Sequence, residues 1–371
     1  MSTLFDANDF RIPPGILHLC AGGKTPALHA LDGALGRYLA DKSDGPAGDA
    51  RQEAMVARLR DKLAAGWGCA MEEIGLVSSV AEGVAMLAES LEWTEGDEVV
   101  LADIEYPSLA APFAMRPGVT LRVAEGPGGV AALVGPRTRV IAVSSVSFLT
   151  AERVDLHALR ALADGVGALL VVDHTQAAGW ARIEAGVADF AFAACYKWML
   201  GISGIAVAYW NRVRQPDWAP RSAGWYSMAV QGRPDWTQPF ALVPDAMRFC
   251  RGNPNHAGVY ALDAALDYLA RHEGIEAHVL ALAGELRARC LAAGLPMMTP
   301  ENHGASVCLP HPEAARAVRE LEARGVLVWN GRGRIRVSFH GYNGEADVAW
   351  ALAALKGVFS VRSASASSPE A

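Results

Sequence analysis

Residues 168–210 read ALLVVDHTQAAGWARIEAGVADFAFAACYKWMLGISGIAVAYW. The first apolar run, Ala168 to Val172, stops at Asp173. A second, Phe190 to Ala194, stops at Cys195-Tyr196-Lys197-Trp198, and a third, Ile205 to Trp210, follows the small-residue turn Gly201-Ile202-Ser203-Gly204. Short apolar runs bounded by polar and glycine signals read as buried strands. Two of them end on a charged side chain, at the strand ends where open α/β sheets collect ligands.

Asp173 and Lys197 are therefore candidates to face one pocket with opposite charges. Pyridoxal phosphate (PLP) chemistry needs that pair. A lysine amine forms a Schiff base with the cofactor aldehyde, and a carboxylate keeps the pyridine nitrogen protonated so that the ring accepts electrons from a substrate α-carbon. Taken alone, Asp173 also reads as a turn cap and Lys197 as a surface lysine, the commoner fate of these residue types.

Asp173-His174-Thr175-Gln176-Ala177, then Tyr196-Lys197-Trp198, then a glycine-bearing turn and a strand resemble the core of the class V aminotransferase family. That family includes cysteine desulfurases, kynureninase and isopenicillin N epimerase. The resemblance implies a PLP-dependent enzyme of the type I transferase fold: an α/β protein with a mainly parallel seven-stranded sheet, helices on both faces and a small C-terminal α+β domain. It also implies that Asp173 pairs with the pyridinium nitrogen, Gln176 with the ring hydroxyl, and Lys197 with the aldehyde. Tyr196 stands where desulfurases carry histidine; it is closer to kynureninase-like members and implies a phenol donated to the cofactor phosphate.

The bulk numbers agree with a globular enzyme. The chain has 371 residues, 51% hydrophobic and 20% charged, enough for a sizeable core. With a net charge of −7 and no basic block, nucleic acid is not an expected partner. No apolar stretch reaches the ~18 residues a membrane helix needs, and MSTLFDANDFRIPPG lacks the basic start and apolar core of a secretory signal. Six cysteines at 20, 69, 195, 250, 290 and 308 form no CxxC pair, and the histidines show no HExxH. The expectation is a reduced, cytoplasmic protein without a metal site.

Working outward toward the N-terminus, 1–20 reads as an arm. Gly22-Gly23-Lys24-Thr25 resembles the tail of a phosphate loop, but the required earlier glycine is His18, which excludes a P-loop. The family resemblance makes this segment part of the substrate mouth. Helices are expected over 27–40 and 51–67, with a loop at 41–49. Ile74 to Val77 reads as a strand entering a helix from about 81 to 91. Ser78 or Ser79 would cap that helix. By the resemblance its N-terminus holds the PLP phosphate through the amides of Val80 and Ala81, with Ala81 where many relatives place threonine. Strand 98–102 leads to Glu105-Tyr106, and the resemblance puts Tyr106 against the pyridine face. After the strand at 139–144, Phe148 occupies the place of a desulfurase asparagine, and Arg153 is a candidate to compensate. A helix is expected over 156–165.

Toward the C-terminus, 216–240 is a tryptophan- and proline-bearing loop that reads as a lid, a dimer contact or a specificity wall. Arg248 to Asn255 resembles the family segment whose threonine crosses a dimer interface to the partner's phosphate. Asn253 replaces that threonine and keeps an amide donor, so a homodimer with shared sites is expected. Gly-Asn-Pro also suits a plain turn. Helices over 257–272 and 275–293 precede an α+β unit with strands near 305–309, 326–329 and 334–339. Arg334 and Arg336 share a strand face by alternation. The motif favours Arg336 as the fork for a substrate carboxylate. The organisation expected is an arm at 1–20, a PLP-binding domain at 21–255, a connection and small domain at 256–359, and a polar tail at 360–371.

VLVWNGRGRIR, residues 326–336, holds no cysteine, although a persulfide-forming desulfurase needs a thiol on the loop before this arginine. Cys195, two residues before Lys197, reads as strand-end packing. The function expected is transamination of an amino acid, with C–S lyase or other eliminating activity, or epimerisation, as alternatives. A binding protein without turnover would be expected to lack Lys197.

Overall fold

The computed structural model describes residues 2–229 and 232–365, the last five by backbone alone. Its centre is a seven-stranded sheet in the order β2-β8-β7-β6-β5-β3-β4. The strands are β2 (Ile74–Val77), β3 (Glu98–Ala102), β4 (Thr120–Ala124), β5 (Thr138–Ser144), β6 (Leu169–Asp173), β7 (Phe190–Ala194) and β8 (Ala206–Trp210). β8 is antiparallel to both its neighbours; every other pairing is parallel.

Alternation explains the layering. Leu170, Val172, Ala191, Ala193 and Val207 point into one core with α2 (Gly45–Trp67), α6 (Leu156–Val166) and α7 (His256–Leu269). Leu169, Val171, Phe190, Phe192 and Ala206 point into the other, with α3 (Val80–Ser90) and α4 (Pro107–Ala114). Strands covered on both faces read as unbroken apolar runs, and such runs made 168–210 legible. At Gly83 a Cβ would lie 2.5 Å from the Phe192 ring, so only glycine lets α3 approach β7 this closely.

The C-terminal unit is a three-stranded antiparallel sheet, β11 (Trp329–Gly331), β12 (Arg334–Ser338) and β9 (Ser306–Pro310), in the order β11-β12-β9. α8 (Ile275–Ala292), α9 (Ala314–Glu322) and α10 (Glu345–Ser365) accompany it. Its core joins Leu282, Leu286, Val307, Ile335, Val337 and Leu355 to Leu17 and Leu19 of the N-terminal arm. In the arm, β1 (Leu17–His18) pairs with β10 (Val326–Leu327).

Several expectations are corrected. The loop at 41–49 is largely helix, because α2 starts at Gly45 with Pro46 in its first turn, where a missing N–H costs nothing. α4 and β4 carried no clear signal: α4 contains Pro112, and β4 is a largely exposed edge strand. α1 (Ala30–Lys42) and the short α5 (Val130–Leu133) complete the helices. Trp218 of the tryptophan-bearing loop is core, stacked on Phe249 at 4.4 Å, whereas Trp225 and Trp236 are exposed. Val230 and Gln231 of that loop lie outside the described residues. α10 runs to Ser365, past the expected start of the tail; 366–371 lie outside the described residues. Among the described residues no helix is long and apolar enough to cross a membrane, and no three His, Cys, Asp or Glu side chains group to hold a metal.

Candidate active site

β6 and β7 are parallel neighbours with Asp173 opposite Phe192. Asp173 is the last residue of β6, and Lys197 follows the end of β7 by three residues. Both therefore emerge at the same sheet edge. Beside them, Val77 of β2 pairs with Ala206 of β8, so the Ser203-Gly204-Ile205 entry to β8 lies against the exit from β2 into α3. These segments enclose a cavity of about 280 Å³ that Val80, Ala81, Tyr106, Asp173, Gln176 and Lys197 help to line. Tyr196 lines it as well.

The charges at its floor are far from their solution behaviour. Burial pushes the Lys197 amine down to about 8; the nearby Arg336 adds to this and Asp173 opposes it. Burial pushes the Asp173 carboxyl up, against the Thr175 contacts and Lys197, which favour its charged form. The Thr175 amide donates to Asp173 Oδ1 at 2.8 Å and fixes that side chain. The Lys197 ammonium sits 5.5 Å from the centre of the Tyr106 ring and 5.7 Å from that of Tyr196. Gln176 Nε2 donates to Gly22 O at 2.9 Å and Oε1 accepts from Trp198 Nε1 at 3.1 Å, leaving one Nε2 proton for a ligand.

At the opposite end, Ser79 caps α3, its hydroxyl accepting from the Glu82 amide at 3.2 Å. Glu82 in turn accepts from the Ser78 amide at 2.9 Å and from Arg251 at 2.8 Å. The first-turn amides of Val80 and Ala81 have no partner within the helix, and both residues line the cavity, the placement an anion site requires.

A wider mouth of about 490 Å³ adjoins the cavity, shares Tyr106, Phe148, Gln176, Tyr196 and Lys197 with it, and reaches Arg336. Arg336 is 3% exposed; its Nη1 donates to Phe148 O at 2.9 Å, while its buried Nε has no partner among the described residues. Arg334 is committed to backbone, donating to Leu149 O at 2.8 Å and Phe148 O at 2.5 Å. The two arginines do share a face, and of the two only Arg336 has a buried nitrogen, Nε, with no partner among the described residues. At Gly22 a Cβ would meet Arg336 Cζ at 3.2 Å, and at Gly23 the Trp329 ring at 2.5 Å. The glycine pair exists for this close packing.

Two candidates fall elsewhere. Arg153 pairs with Glu276 at 3.1 Å and lines a different cavity, so it does not replace the polar group lost at Phe148. Asn253 lies in a side cavity of about 230 Å³ that shares Ser78, Gly204 and Ile205 with the main one. Sequence reasoning missed Ser203 and Ser108, which line the cavity. It also missed the buried Glu105, which accepts from the Ser144 amide at 2.9 Å and which burial pushes up to about 7. A serine in the small-residue turn after the lysine was the available signal for Ser203.

The sequence profile of the family described as Aminotransferase class-V matches residues 43–350. This chain belongs to that family. An uncharacterized aminotransferase, YcbU of Bacillus subtilis, is 26% identical over 308 residues, 79% of this chain and 81% of that protein. A cysteine desulfurase of Klebsiella pneumoniae is 31% identical over 239 residues, covering 60% of this chain and 57% of its own. The apo structure of cysteine desulfurase from Thermococcus onnurineus NA1 superposes with a TM-score of 0.85 at 22% identity, covering 96% of this chain and 99% of that one, a likeness of fold. As in the family, the protein is an enzyme of the transaminase or lyase kind with pyridoxal phosphate as its cofactor. The cavity fits that group: an amine at one wall, a buried carboxylate on the floor, unpaired helix amides at the far end, and an orphaned arginine donor beyond.

Proposed function

We propose that the protein is a PLP-dependent aminotransferase acting on an α-amino acid, with Lys197 as the residue that holds the cofactor and moves the α-proton. The supporting observation is the convergence of Lys197, Asp173 and the α3 N-terminus on one cavity that opens onto Arg336. When bound, the cofactor supplies an electron sink for the substrate α-carbon.

The residues divide the remaining work. The Lys197 amine, lowered to about 8, is close enough to neutrality to accept a proton at Nζ and return it. Asp173, locked by the Thr175 amide, holds a positive charge at a ring nitrogen. Tyr106 offers an aromatic face, and Gln176 its spare amide proton. The amides of Val80 and Ala81, with Tyr196, bind phosphate oxygens. Arg336 receives the substrate carboxylate through Nε and its remaining guanidinium protons.

The thiols favour transamination or elimination over persulfide chemistry. Neither the main cavity nor the mouth is lined by a cysteine. Cys20 and Cys250 are both pushed up to about 12 by burial, and burial raises Cys195 too, so these thiols stay protonated. The deciding assay scans amino acids against the PLP-loaded protein and measures keto acid, ammonia and sulfide together. Transamination gives keto acid without ammonia. Ammonia with pyruvate means elimination, and racemised substrate alone means epimerisation; either result replaces the proposal.

Asn253 is proposed to act on a second copy's cofactor phosphate in a homodimer. Light scattering should give twice the 39.3 kDa chain mass. A monomer that retains full activity contradicts this.

A further inference from the structure

The mouth outside Lys197 has an unbalanced charge. Lys24, Lys197, Arg332, Arg334 and Arg336 line it and no carboxylate does, although the chain as a whole carries −7. Lys197 and Arg336 belong to the site already described, and Arg334 is spent on backbone carbonyls. Lys24 and Arg332 remain. Both are exposed, and neither pairs with a carboxylate among the described residues.

Arg332 holds an unusual place. Gly331 pairs with Arg334 across the hairpin, so the connection is the two residues Arg332-Gly333, with φ of 51° and 72°. Two positive φ values mark a turn that favours Asn-Gly, and a non-glycine side chain is disfavoured in the left-handed region. Arginine is a poor choice for the turn itself. The strained backbone sets its guanidinium 5.0 Å from the centre of the Phe148 ring, where Phe148 lines both the mouth and the inner cavity. Lys24 enters the same mouth from the Gly22-Gly23 segment packed on Arg336 and Trp329.

We infer that the substrate is an amino acid whose side chain ends in a second carboxylate or a comparable oxyanion, received by Arg332 and Lys24 while Arg336 holds the α-carboxylate. This rests on the aminotransferase reading above. Arg332 and Lys24 act as specificity residues and take no part in proton transfer.

The test is calorimetric titration of the PLP-loaded protein with succinate and, separately, butyrate, which has one carboxylate fewer. Succinate should bind about tenfold more tightly or better, and the difference should shrink as ionic strength rises past the point where exposed charges are screened, about 0.15 M. Arg332→Asn, which suits the turn and spares the fold, should weaken succinate by about five- to tenfold and leave butyrate unchanged. Lys24→Gln should act in the same direction, and with an acidic amino acid both variants should raise KM more than they lower kcat. Equal binding of the two acids, or equal loss of both in Arg332→Asn, overturns the inference. The visible absorbance of the bound cofactor separates the two readings. A coloured protein that does not discriminate removes only the second anion site; a colourless one removes the function on which it rests.

Discussion

Lys197 and Asp173 were found because each ends an apolar run, and they meet because β6 and β7 are adjacent and parallel. Desolvation sets their behaviour. Glu105 is a third member of this buried set, and nothing in its local sequence marks it. Its role depends on β3 lying beside β5, which delivers Ser144 to its carboxylate, and on the Asp173 charge near it. Its folded pKa of about 7 lies above the ordinary 4.5, so the native state binds more protons than the unfolded state between those values. Stability from this group is present below about 4.5 and is lost as pH rises through 7. Glu105→Gln mimics the protonated form. Urea titrations of the apo protein from pH 5 to 8 should show a smaller decline in stability for the variant than for the parent. Parallel curves would remove the assignment. At Arg336, Lys keeps the charge and loses the planar fork. Arg336→Lys should raise KM for the amino acid by about tenfold or more while the cofactor still binds. An unchanged KM would place the α-carboxylate elsewhere.

The elements that position the site were the most legible ones. β3 and β7 lie where the apolar runs put them, because both faces are covered and every position is apolar or paired. α4 and β4 were missed for the converse reason: a proline lies inside one and water covers much of the other. α3 carries two local signals that can be tested. Ser79→Ala removes the cap and should cost about 1 kcal/mol in urea unfolding. Gly83→Val forces a branched side chain into the Phe192 ring and should cost about 1–3 kcal/mol, with weaker cofactor binding because the α3 N-terminus moves. If Gly83→Val matched the parent in both respects, the close approach of α3 to β7 would not be what sets the phosphate end. The sequence placed strands near 326–329 and 334–339 with a short, cysteine-free connection before Arg336, but not the break into β10 and β11 nor the β11–β12 hairpin. The left-handed arginine at its tip becomes visible only with the backbone.

For the whole molecule, the sheet order converts separated motifs into one site. The strand-end pattern had put Asp173 and Lys197 together; the residues near β2 and on β12 lie far from them in the chain, and the resemblance alone had assigned those a common role. The antiparallel β8 brings the Ser203-Gly204 turn to the α3 N-terminus; without that reversal the turn would open at the other edge of the sheet. Arg153 and Asn253 stand apart, each in a different cavity of its own chain. The central claim is that the amine ending the β7 excursion is the point of cofactor attachment. Its direct test is borohydride reduction of the purified protein equilibrated with pyridoxal phosphate, followed by peptide mass spectrometry. A pyridoxyl adduct on Lys197, absent from Lys197→Ala, is predicted. A colourless, unlabelled protein, or an adduct mapping to Lys24 or Lys62 with Lys197 unmodified, would contradict it.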